Sequence, residues 1–384
     1  MAGMSGVVAG CGGGDTEDDA TGKITDKVLK VGVIAPLSGD RQPAGDEIIN
    51  GLKLYLDFNN GLLGGHPIEL VTAEEGDSAA TAAAAADQLI NSGVSAIVGV
   101  SNSTLVKAVS DKIESAKIPM LGTGGGPASV SSAVYTWSTS YVDDEPGEAL
   151  GTYMKTTVKS GKIAMIAPAT SGRDAVEGFR NAFGTSEPQI SDGPIWMPDT
   201  YNPSAGELLE AIESIEQLNA DVLFCHAFGP AAVTLVKQMR ASGLDQPIYA
   251  PGLFTEGTNL AQMDALAEGI FTAHNYAADL ANTFNQRFAD NYRRRFSAIP
   301  TAASVAAYDA GQVLDRAIGI TKVEGPSAQD INRAIGQVGT IDSPRGSWQF
   351  NQPRAPQQKW YLREVRRDGT QLANVLISEL STLG

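Results

Sequence analysis

The stretch VLKVGVIAPLSGD, residues 28–40, joins a run of aliphatic and β-branched residues to a polar loop. Such a run, closed by Pro and Gly, is typical of a buried β-strand. The following residues, EIINGLKLYLDFNN at 47–60, place Ile48, Leu52 and Tyr55 on one face of a helix. Strand, loop and helix in this order predict the first unit of an α/β fold.

The same alternation continues along the chain and starts a second time after YTWSTSYVDDEPG at 135–147. Regular alternation of strand and helix predicts parallel strands joined by right-handed crossovers, and therefore a sheet with helices on both faces. Because the alternation comes in two blocks, we expect two doubly wound lobes. The strand-like runs of the two blocks lie at 67–75, 94–100, 118–124, 162–168, 220–228 and 246–252.

The last part of the chain predicts further crossings between the lobes. Three helical runs follow residue 276, and two late strand-like runs, SWQFN and WYLREVRRDG, follow them. We therefore expect the chain to return to the first lobe and cross again, through a multi-crossing hinge with a ligand cleft between the lobes. The predicted division is 27–143 and 277–344 for lobe 1, 144–276 and 345–384 for lobe 2, and 1–26 for a leader.

The strand ends indicate where a ligand would bind. In open α/β sheets, ligands lie outside the carboxyl ends of the strands. We expect these ends to face one another across the cleft. The loops concerned follow Pro36, Val100, Leu121, Pro168, Phe228 and Pro251.

Composition and charge exclude some partners. The chain of 384 residues has a formal net charge of −16 and only 28 Lys and Arg residues. Binding to nucleic acids is driven by basic side chains, so a nucleic-acid partner is not expected. After the leader, no stretch has the roughly 18 apolar residues that a membrane-spanning helix needs.

No catalytic or metal-binding motif is evident. His66, His226 and His274 are far apart in the sequence, without metal-ligand spacing. The run LGTGGGP has Pro127 where a dinucleotide motif needs a third Gly, and a flexible turn is the simpler interpretation. We therefore expect no cofactor, no metal and no enzymatic activity.

The run VSNSTLVKA predicts an anion site. Ser103 and Thr104 come directly after a strand and begin a helix. Free N–H groups and the helix dipole at that point attract a carboxylate. The alternative is that Ser103 only caps its helix, and the two roles are compatible.

Aromatic residues at strand ends and crossings predict an apolar wall. They are Tyr141, Phe228, Phe254 and Tyr276. Each could equally belong to the core, but together they favour an apolar pocket with Ser103 as a polar anchor.

The leader contains VVAGCGGGDTEDD at 7–19. Small residues after apolar ones are typical of a secretory cleavage site, and the order Val8, Ala9, Gly10, Cys11 resembles the bacterial lipobox. The resemblance implies that Cys11 carries a lipid and that the polar residues after it form a tether. An unmodified cysteine in a polar leader is the alternative. Cys225 lies in an apolar run, so a disulfide with Cys11 is not expected.

Together these features resemble the leucine/isoleucine/valine-binding family of solute-binding proteins that serve ABC importers. The similarity runs from residue 28 to about 365, through pieces such as SAIVGVSNST, IPMLGTG, SGRD and SPRGSWQFN. It implies a two-lobe clamp, the type I periplasmic-binding-protein fold, that acts outside the cytoplasm. It also implies a lipid anchor at Cys11 and an ABC permease as partner.

The resemblance also assigns residues to the binding site. Ser103 and Thr104 correspond to the positions that hold a ligand carboxylate in the first lobe. Thr123, Gly124 and Gly126 lie in the next loop, where the family uses backbone contacts. Asp143 corresponds to an aspartate of the hinge, and Tyr276 is expected at the cleft.

Departures from the family pattern bear on the ligand. Ala44 stands in place of an aromatic residue, Ser171 and Phe228 in place of tyrosines, and Gly126 in place of a threonine. Gly252 stands where the family has a glutamate for the α-ammonium group. A buried ammonium without a paired carboxylate is costly. We therefore expect an aromatic or branched carboxylate or an amide, and Gly252→Glu to improve binding of amino acids. An amino-acid-like ligand stays open.

Three classes of function follow. The leading one is a lipid-anchored, monomeric binding component of an ABC importer that captures a small organic solute. A ligand-sensing module on the same fold is the second. An α/β enzyme is the third, and the missing catalytic groups disfavour it.

Overall fold

The computed structural model describes residues 25–184, 187, 189–351 and 354–384. The predicted lipidation site, Cys11, lies outside the described residues. The strands are β1 (Leu29–Ala35), β2 (Leu62–Leu63), β3 (His66–Glu74), β4 (Ala96–Gly99), β5 (Met120–Gly122), β6 (Gly125–Gly126), β7 (Thr136–Ser138), β8 (Tyr141–Val142), β9 (Ile163–Pro168), β10 (Ile195–Met197), β11 (Val222–Cys225), β12 (Ile248–Pro251), β13 (Phe271–His274), β14 (Gln349–Phe350), β15 (Pro356–Asp368) and β16 (Gln371–Leu383).

The helices connect these strands in the predicted alternation. They are α1 (Gln42–Phe58), α2 (Ala79–Asn91), α3 (Ser103–Ala116), α4 (Glu145–Thr157), α5 (Arg173–Phe183), α6 (Leu209–Leu218), α7 (Pro230–Ala241), α8 (Asn259–Met263), α9 (Thr283–Phe296), α10 (Ala302–Thr321) and α11 (Ala328–Ile335). In the part of the chain that the structure describes, no helix is both long and apolar enough to cross a membrane.

The first sheet has the strand order β2-β3-β1-β4-β5-β7 and is parallel except for the β2–β3 hairpin. Successive side chains of a strand point to opposite faces. Val31 and Val33 therefore pack with α1 and α10 on one face, and Ile34 packs with α2 and α3 on the other. The predicted doubly wound lobe is confirmed, because both faces of the sheet are covered.

The second sheet has the order β10-β9-β11-β12-β13-β15-β14, with β16 paired to β15. Its first five strands are parallel, and β15 runs antiparallel to β13. Ile166 lies in the core cluster on one face, and Met165 lies in the cluster on the other. Cys225 is buried in this sheet, as its apolar surroundings predict.

The chain crosses between the lobes at a small parallel sheet of its own. In that sheet β6 pairs with β8, with Gly125 opposite Tyr141 and Gly126 opposite Val142. A buried ion pair supports a later crossing, where Arg345 lies 3.0 Å from Asp309 and donates to the Thr139 carbonyl at 2.7 Å. These contacts connect the crossings to one another.

Packing at residue 348 corrects the predicted division of the chain. Trp348 is buried in the core cluster of the first sheet, and Phe350 packs against Trp137 of the same lobe at a ring-centre distance of 4.9 Å. The Trp348 indole also donates to Asp309 at 2.9 Å. The boundary predicted at 344 is therefore too early, because Trp348 and Phe350 still pack in lobe 1. The rest of the division stays a prediction.

Candidate functional site

A cavity of about 150 Å³ lies between the lobes, where the carboxyl ends of the strands meet. We call it the cleft. Every loop that the sequence identified contributes to it, after β1, β4, β5, β9, β11 and β12. The cleft is lined by Asp40, Arg41, Pro43, Ala44, Glu47, Ser101, Asn102, Ser103, Gly125, Tyr141, Asp143, Pro146, Ser171, Tyr201, His226, Phe228, Gly229, Pro251, Leu253, Glu256, Gly257, Thr258 and Asn259.

The structure brings together only some of the predicted site residues. Those that line the cleft are Ala44, Ser103, Asp143, Ser171 and Phe228. Those that lie outside its lining are Thr104, Thr123, Gly124, Gly126, Gly252 and Tyr276.

Ala44 belongs to a helix and not to the predicted loop. Helix α1 begins at Gln42, with Pro43 in its first turn. Proline suits the first turn of a helix, because the N–H that it lacks would have no intrahelical acceptor there. Helix α1 therefore presents Ala44 and, one turn later, Glu47 to the cleft.

Ser103 is the first residue of α3 and lines the cleft. Asn102 caps the helix, since its side-chain oxygen accepts from the Thr104 N–H at 3.1 Å. The alternative that Ser103 only caps its helix is therefore wrong. The Thr104 hydroxyl is exposed and donates to Asn102 at 2.9 Å, which explains its absence from the cleft lining.

A buried carboxylate shapes the loop before α3. Glu75 accepts from the N–H groups of Ser101 at 2.7 Å and Asn102 at 3.1 Å, and it pairs with Arg41 at 3.3 Å. Val100 adopts a φ of 68°, which is costly for a β-branched residue. Hydrogen bonds to Glu75 offset that strain and aim the start of α3 at the cleft.

Two further carboxylates, Glu47 and Glu256, line the cleft itself. Glu47 accepts from the Thr301 hydroxyl at 2.9 Å, and Glu256 forms a buried ion pair with Arg363. Burial raises the pKa of Glu47 to about 8, and the nearby charge of Glu256 adds to the shift. Glu47 therefore carries a proton at neutral pH and can donate a hydrogen bond.

Asp143 lies at the base of the cleft, beside the crossing sheet. A Cβ on Gly125 would lie only 2.1 Å from an Asp143 carboxylate oxygen, so a larger residue would have to displace that carboxylate. Burial raises the pKa of Asp143 to about 7, while a hydrogen bond from Ser103 acts in the opposite direction. The sequence analysis predicted that Gly124 and Gly126 are the residues of this loop that contact the ligand. Neighbouring residues of a strand face opposite sides, so Gly125 faces the cleft instead.

Rings from lobe 2 form one wall of the cleft. Phe228 lies 6.2 Å from Tyr201 and 6.3 Å from His226 between ring centres. Burial lowers the pKa of His226 to about 4, so this wall is uncharged at neutral pH. The Arg41 guanidinium of lobe 1 lies 5.4 Å from the Tyr201 ring, and Asn202 donates to Asp40 at 3.4 Å. These contacts bridge the lobes.

Gly252 has a packing role, which corrects the expectation drawn from the family. It is buried, and a Cβ there would lie 2.0 Å from the His274 ring. Its carbonyl accepts from Arg363 at 3.2 Å. A glutamate at 252 would therefore meet His274 and not the ligand. The nearest carboxylate of that loop in the cleft is Glu256.

The remaining predicted residues belong to the core or to the crossing. Tyr276 is buried and its hydroxyl donates to Asn285 at 2.8 Å. Thr123 is buried beneath the loop. Gly124 and Gly126 line a different cavity, on the other side of the crossing sheet. Phe254 lies in the core of lobe 2.

Several residues at or behind the cleft had no motif to identify them. Arg41, Glu47, Tyr201 and Glu256 line it, and Glu75 supports the loop before α3 from behind. The one available signal was position, because Arg41 follows a predicted strand and Glu75 is the last residue of one. Within the described ranges, no three His, Cys, Asp or Glu side chains are grouped as metal ligands would be.

Known proteins with related sequences share this architecture. The chain is 26% identical over 357 residues to the Leu/Ile/Val-binding protein homolog 6 of Brucella melitensis, which covers 89% of each chain. An ABC-transporter solute-binding protein of R. palustris in complex with benzoate is 26% identical, with a TM-score of 0.80 over 92% of this chain and 98% of that one. A solute-binding protein of Rhodopseudomonas palustris in complex with 3,4-dihydroxybenzoic acid is 22% identical and shares the fold, with a TM-score of 0.84 over 93% and 98%.

The model of the periplasmic binding protein family matches residues 28–370, and the chain therefore belongs to that family, in its type I, Leu/Ile/Val-binding branch.

Proposed function

We propose that this protein captures a small aromatic or branched carboxylate outside the cytoplasm and delivers it to an ABC permease. The observation that carries the proposal is the cleft, in which the start of α3, with Ser103, faces a wall that includes Phe228 and Tyr201. A helix N-terminus attracts an anion, and aromatic rings cover an apolar body. The benzoate complex of the R. palustris relative supports the same ligand class.

A ligand anion in the cleft would have no free basic side chain to pair with among the described lining residues. Arg41 is paired with Glu75, and Arg363 is paired with Glu256. The ligand carboxylate would therefore be held at the start of α3 by the Ser103 N–H, since the Thr104 and Leu105 N–H groups already donate to Asn102. The Ser103 hydroxyl would add a second hydrogen bond by exchanging Asp143 for the ligand as its acceptor. Because Glu47 is protonated at neutral pH, it adds a hydrogen-bond donor and not a repelling charge.

The experiment is native mass spectrometry of the full chain carrying Cys11→Ser, purified without unfolding, followed by calorimetry with benzoate, 4-hydroxybenzoate and leucine. We expect an aromatic or branched carboxylate to travel with the protein and benzoate-like acids to bind one site. Binding of leucine with no binding of the aromatic acids would overturn the ligand class and leave the transport role in place.

The proposal extends to the leader. A lipid on Cys11 would hold the body near the membrane, close to its permease, and the body would act as a monomer. Expression in a bacterial host with labelled palmitate tests the anchor, with Cys11→Ser as its control. Label on the parent chain and none on the variant is expected, and equal labelling of both would refute the anchor.

A further inference from the structure

A second and larger cavity lies on the far side of the crossing sheet. Its volume is about 560 Å³, and we call it the hinge cavity. Gly125 and Tyr141 belong to the lining of both the hinge cavity and the cleft, and these two residues are paired in the β6–β8 sheet. A two-stranded sheet is therefore the partition between the two spaces.

The two walls of the hinge cavity come from different lobes. Lobe 1 contributes an apolar wall that includes Val106, Met120 and Trp137. Lobe 2 contributes the first turns of α4, with Glu145 and Glu148, and the end of β16. Any ligand between the walls would contact both lobes and the strands that join them.

The wall from α4 is acidic. Asp144, Glu145 and Glu148 all line the cavity. Glu145 is only 4% exposed, and its Oε2 atom has no hydrogen-bond partner among the described residues. Three carboxylates outweigh the roughly half positive charge of the α4 N-terminus.

Arg354 is the basic residue among the described lining residues, and it does not offset the negative charge of the α4 wall. The Arg354 guanidinium lies 5.0 Å from the Trp137 ring and donates to the Ala133 carbonyl, both in lobe 1. The cavity thus offers an apolar wall on one side and acceptors on the other.

We propose that the hinge cavity binds an apolar ammonium ion, a small amine with an aromatic or aliphatic body. The ammonium group would pair with Glu145, and the body would lie against the lobe 1 wall. An ammonium that pairs with a buried carboxylate supplies the partner that Glu145 Oε2 lacks.

The hinge cavity is open in the same conformation in which Arg41 and Tyr201 bridge the lobes across the cleft. If a hinge-cavity ligand binds this conformation more tightly than an open one, it strengthens binding at the cleft, and the cleft ligand strengthens amine binding by the same factor.

Protonation of Glu145 determines the conditions of the test. Burial raises its pKa to about 8, hydrogen bonds from Val142 and Gln358 lower it, and the charges of Asp144 and Glu148 raise it. Arg345 is the nearby cation from the other crossing. Measurements at about pH 8.5 keep most of the carboxylate ionised.

The probe is 2-phenylethylamine, titrated into the full Cys11→Ser chain by calorimetry, with the neutral isostere 2-phenylethanol as its match. We expect one saturable site for the amine and weaker binding of the alcohol. Glu145→Gln should weaken amine binding about tenfold or more, since it removes one partner of a buried charge pair. Glu213→Gln, on the exposed face of α6, removes the same charge away from the cavity and should leave the amine affinity unchanged.

Adjacent serines supply a test that does not depend on Glu145. Ser131 and Ser132 are both exposed, and only Ser131 lines the hinge cavity. Ser131→Trp should block the amine, and Ser132→Trp should not. Ala44→Trp, which fills the cleft, should leave amine binding intact and so separates this proposal from the proposed ligand of the cleft.

Two results would overturn the inference. One is the absence of saturable amine binding to the parent chain at millimolar concentration. The other is equal amine binding by Ser131→Trp and Ser132→Trp, since the amine would then bind elsewhere.

Discussion

At the scale of single residues, Ser103 shows how one position can be assigned from both sequence and structure. Its place after a strand suggested an anion site, and in the structure it lines the cleft, with Asn102 as the helix cap. Its hydroxyl hydrogen-bonds to Asp143, and a ligand carboxylate would replace that acceptor. We expect Ser103→Ala to weaken carboxylate binding by about 1 to 3 kcal/mol, the usual range for losing a hydrogen bond to a charged group. Isothermal titration with the co-purified acid measures the change.

The matched control is the next residue. The Thr104 hydroxyl contacts Asn102 and lies outside the cleft lining. Thr104→Ala should therefore change affinity by less than about 0.5 kcal/mol. Equal effects of the two substitutions would mean that the helix start, and not a ligand contact, is being perturbed.

Gly252 leads to a prediction about stability. Its missing Cβ would lie 2.0 Å from the His274 ring, and both residues are buried. Gly252→Ala should lower the free energy of unfolding by about 1 to 3 kcal/mol, because overpacking forces neighbours to move. Urea unfolding measures it. Gly126→Ala is the comparison, since its Cβ would be 3.6 Å from the nearest atom, the Tyr141 carbonyl oxygen; a larger loss at 126 would contradict the packing argument.

At the scale of elements, the start of α1 and the loop after β10 bridge the cleft. Arg41 lies 5.4 Å from the Tyr201 ring in the opposite lobe. We expect Tyr201→Ala to weaken ligand binding by about 1 kcal/mol, which is roughly fivefold, mainly through faster dissociation. Tyr201→Phe keeps the ring and should dissociate at nearly the parent rate in stopped-flow measurements. Equal acceleration in both variants would assign the effect to the hydroxyl.

The elements that the sequence missed are short or lie at an edge. Strand β10 has three residues, β6 and β8 have two each, and β16 pairs only with β15. A strand of two or three residues carries no readable alternation, and β16 is an edge strand whose side chains are mostly half-buried or exposed. Long buried strands such as β1 and β9 were evident because both of their faces are apolar.

At the scale of the whole molecule, buried carboxylates couple stability to pH. Burial raises the pKa of each above its ordinary value, so the folded state holds protons that the unfolded state has lost. These pKa values are about 8 for Glu47, about 7 for Asp143, about 8 for Glu145 and about 6 for Asp309. Burial lowers the pKa of His226 and His274. These two histidines make the free energy of unfolding rise with pH, but only below pH 6.5, the ordinary pKa of a histidine.

The free energy of unfolding should therefore fall as pH rises from about 6.5 to 8.5, because the buried carboxylates with raised pKa values lose their protons over this range. The melting temperature of the ligand-free protein across this window measures the slope. Glu47→Gln removes one of the groups and should make the slope shallower, while Glu213→Gln, on the exposed face of α6, should not alter it. A melting temperature that rises over this window would contradict the prediction.

The sequence by itself determined the fold class, the two lobes and the loops of the cleft. Apolar strands covered on both faces and helices with one apolar face leave a local periodic signal, and strand ends fall together by topology. Ser103 and Phe228 could be placed for this reason, since each lies at a strand end, whereas Asp143 was placed by the family resemblance.

Only the tertiary structure decided which neighbouring residue faces the ligand. Gly125 and not Gly124 or Gly126 lines the cleft, Glu256 and not Gly252 offers a carboxylate, and Trp348 stays with lobe 1. A shift of one residue in a strand reverses the facing of its side chains, and a clash such as that with His274 depends on a residue far along the chain. Contacts of that kind are set by packing between segments distant in sequence, which leaves no trace in local pattern.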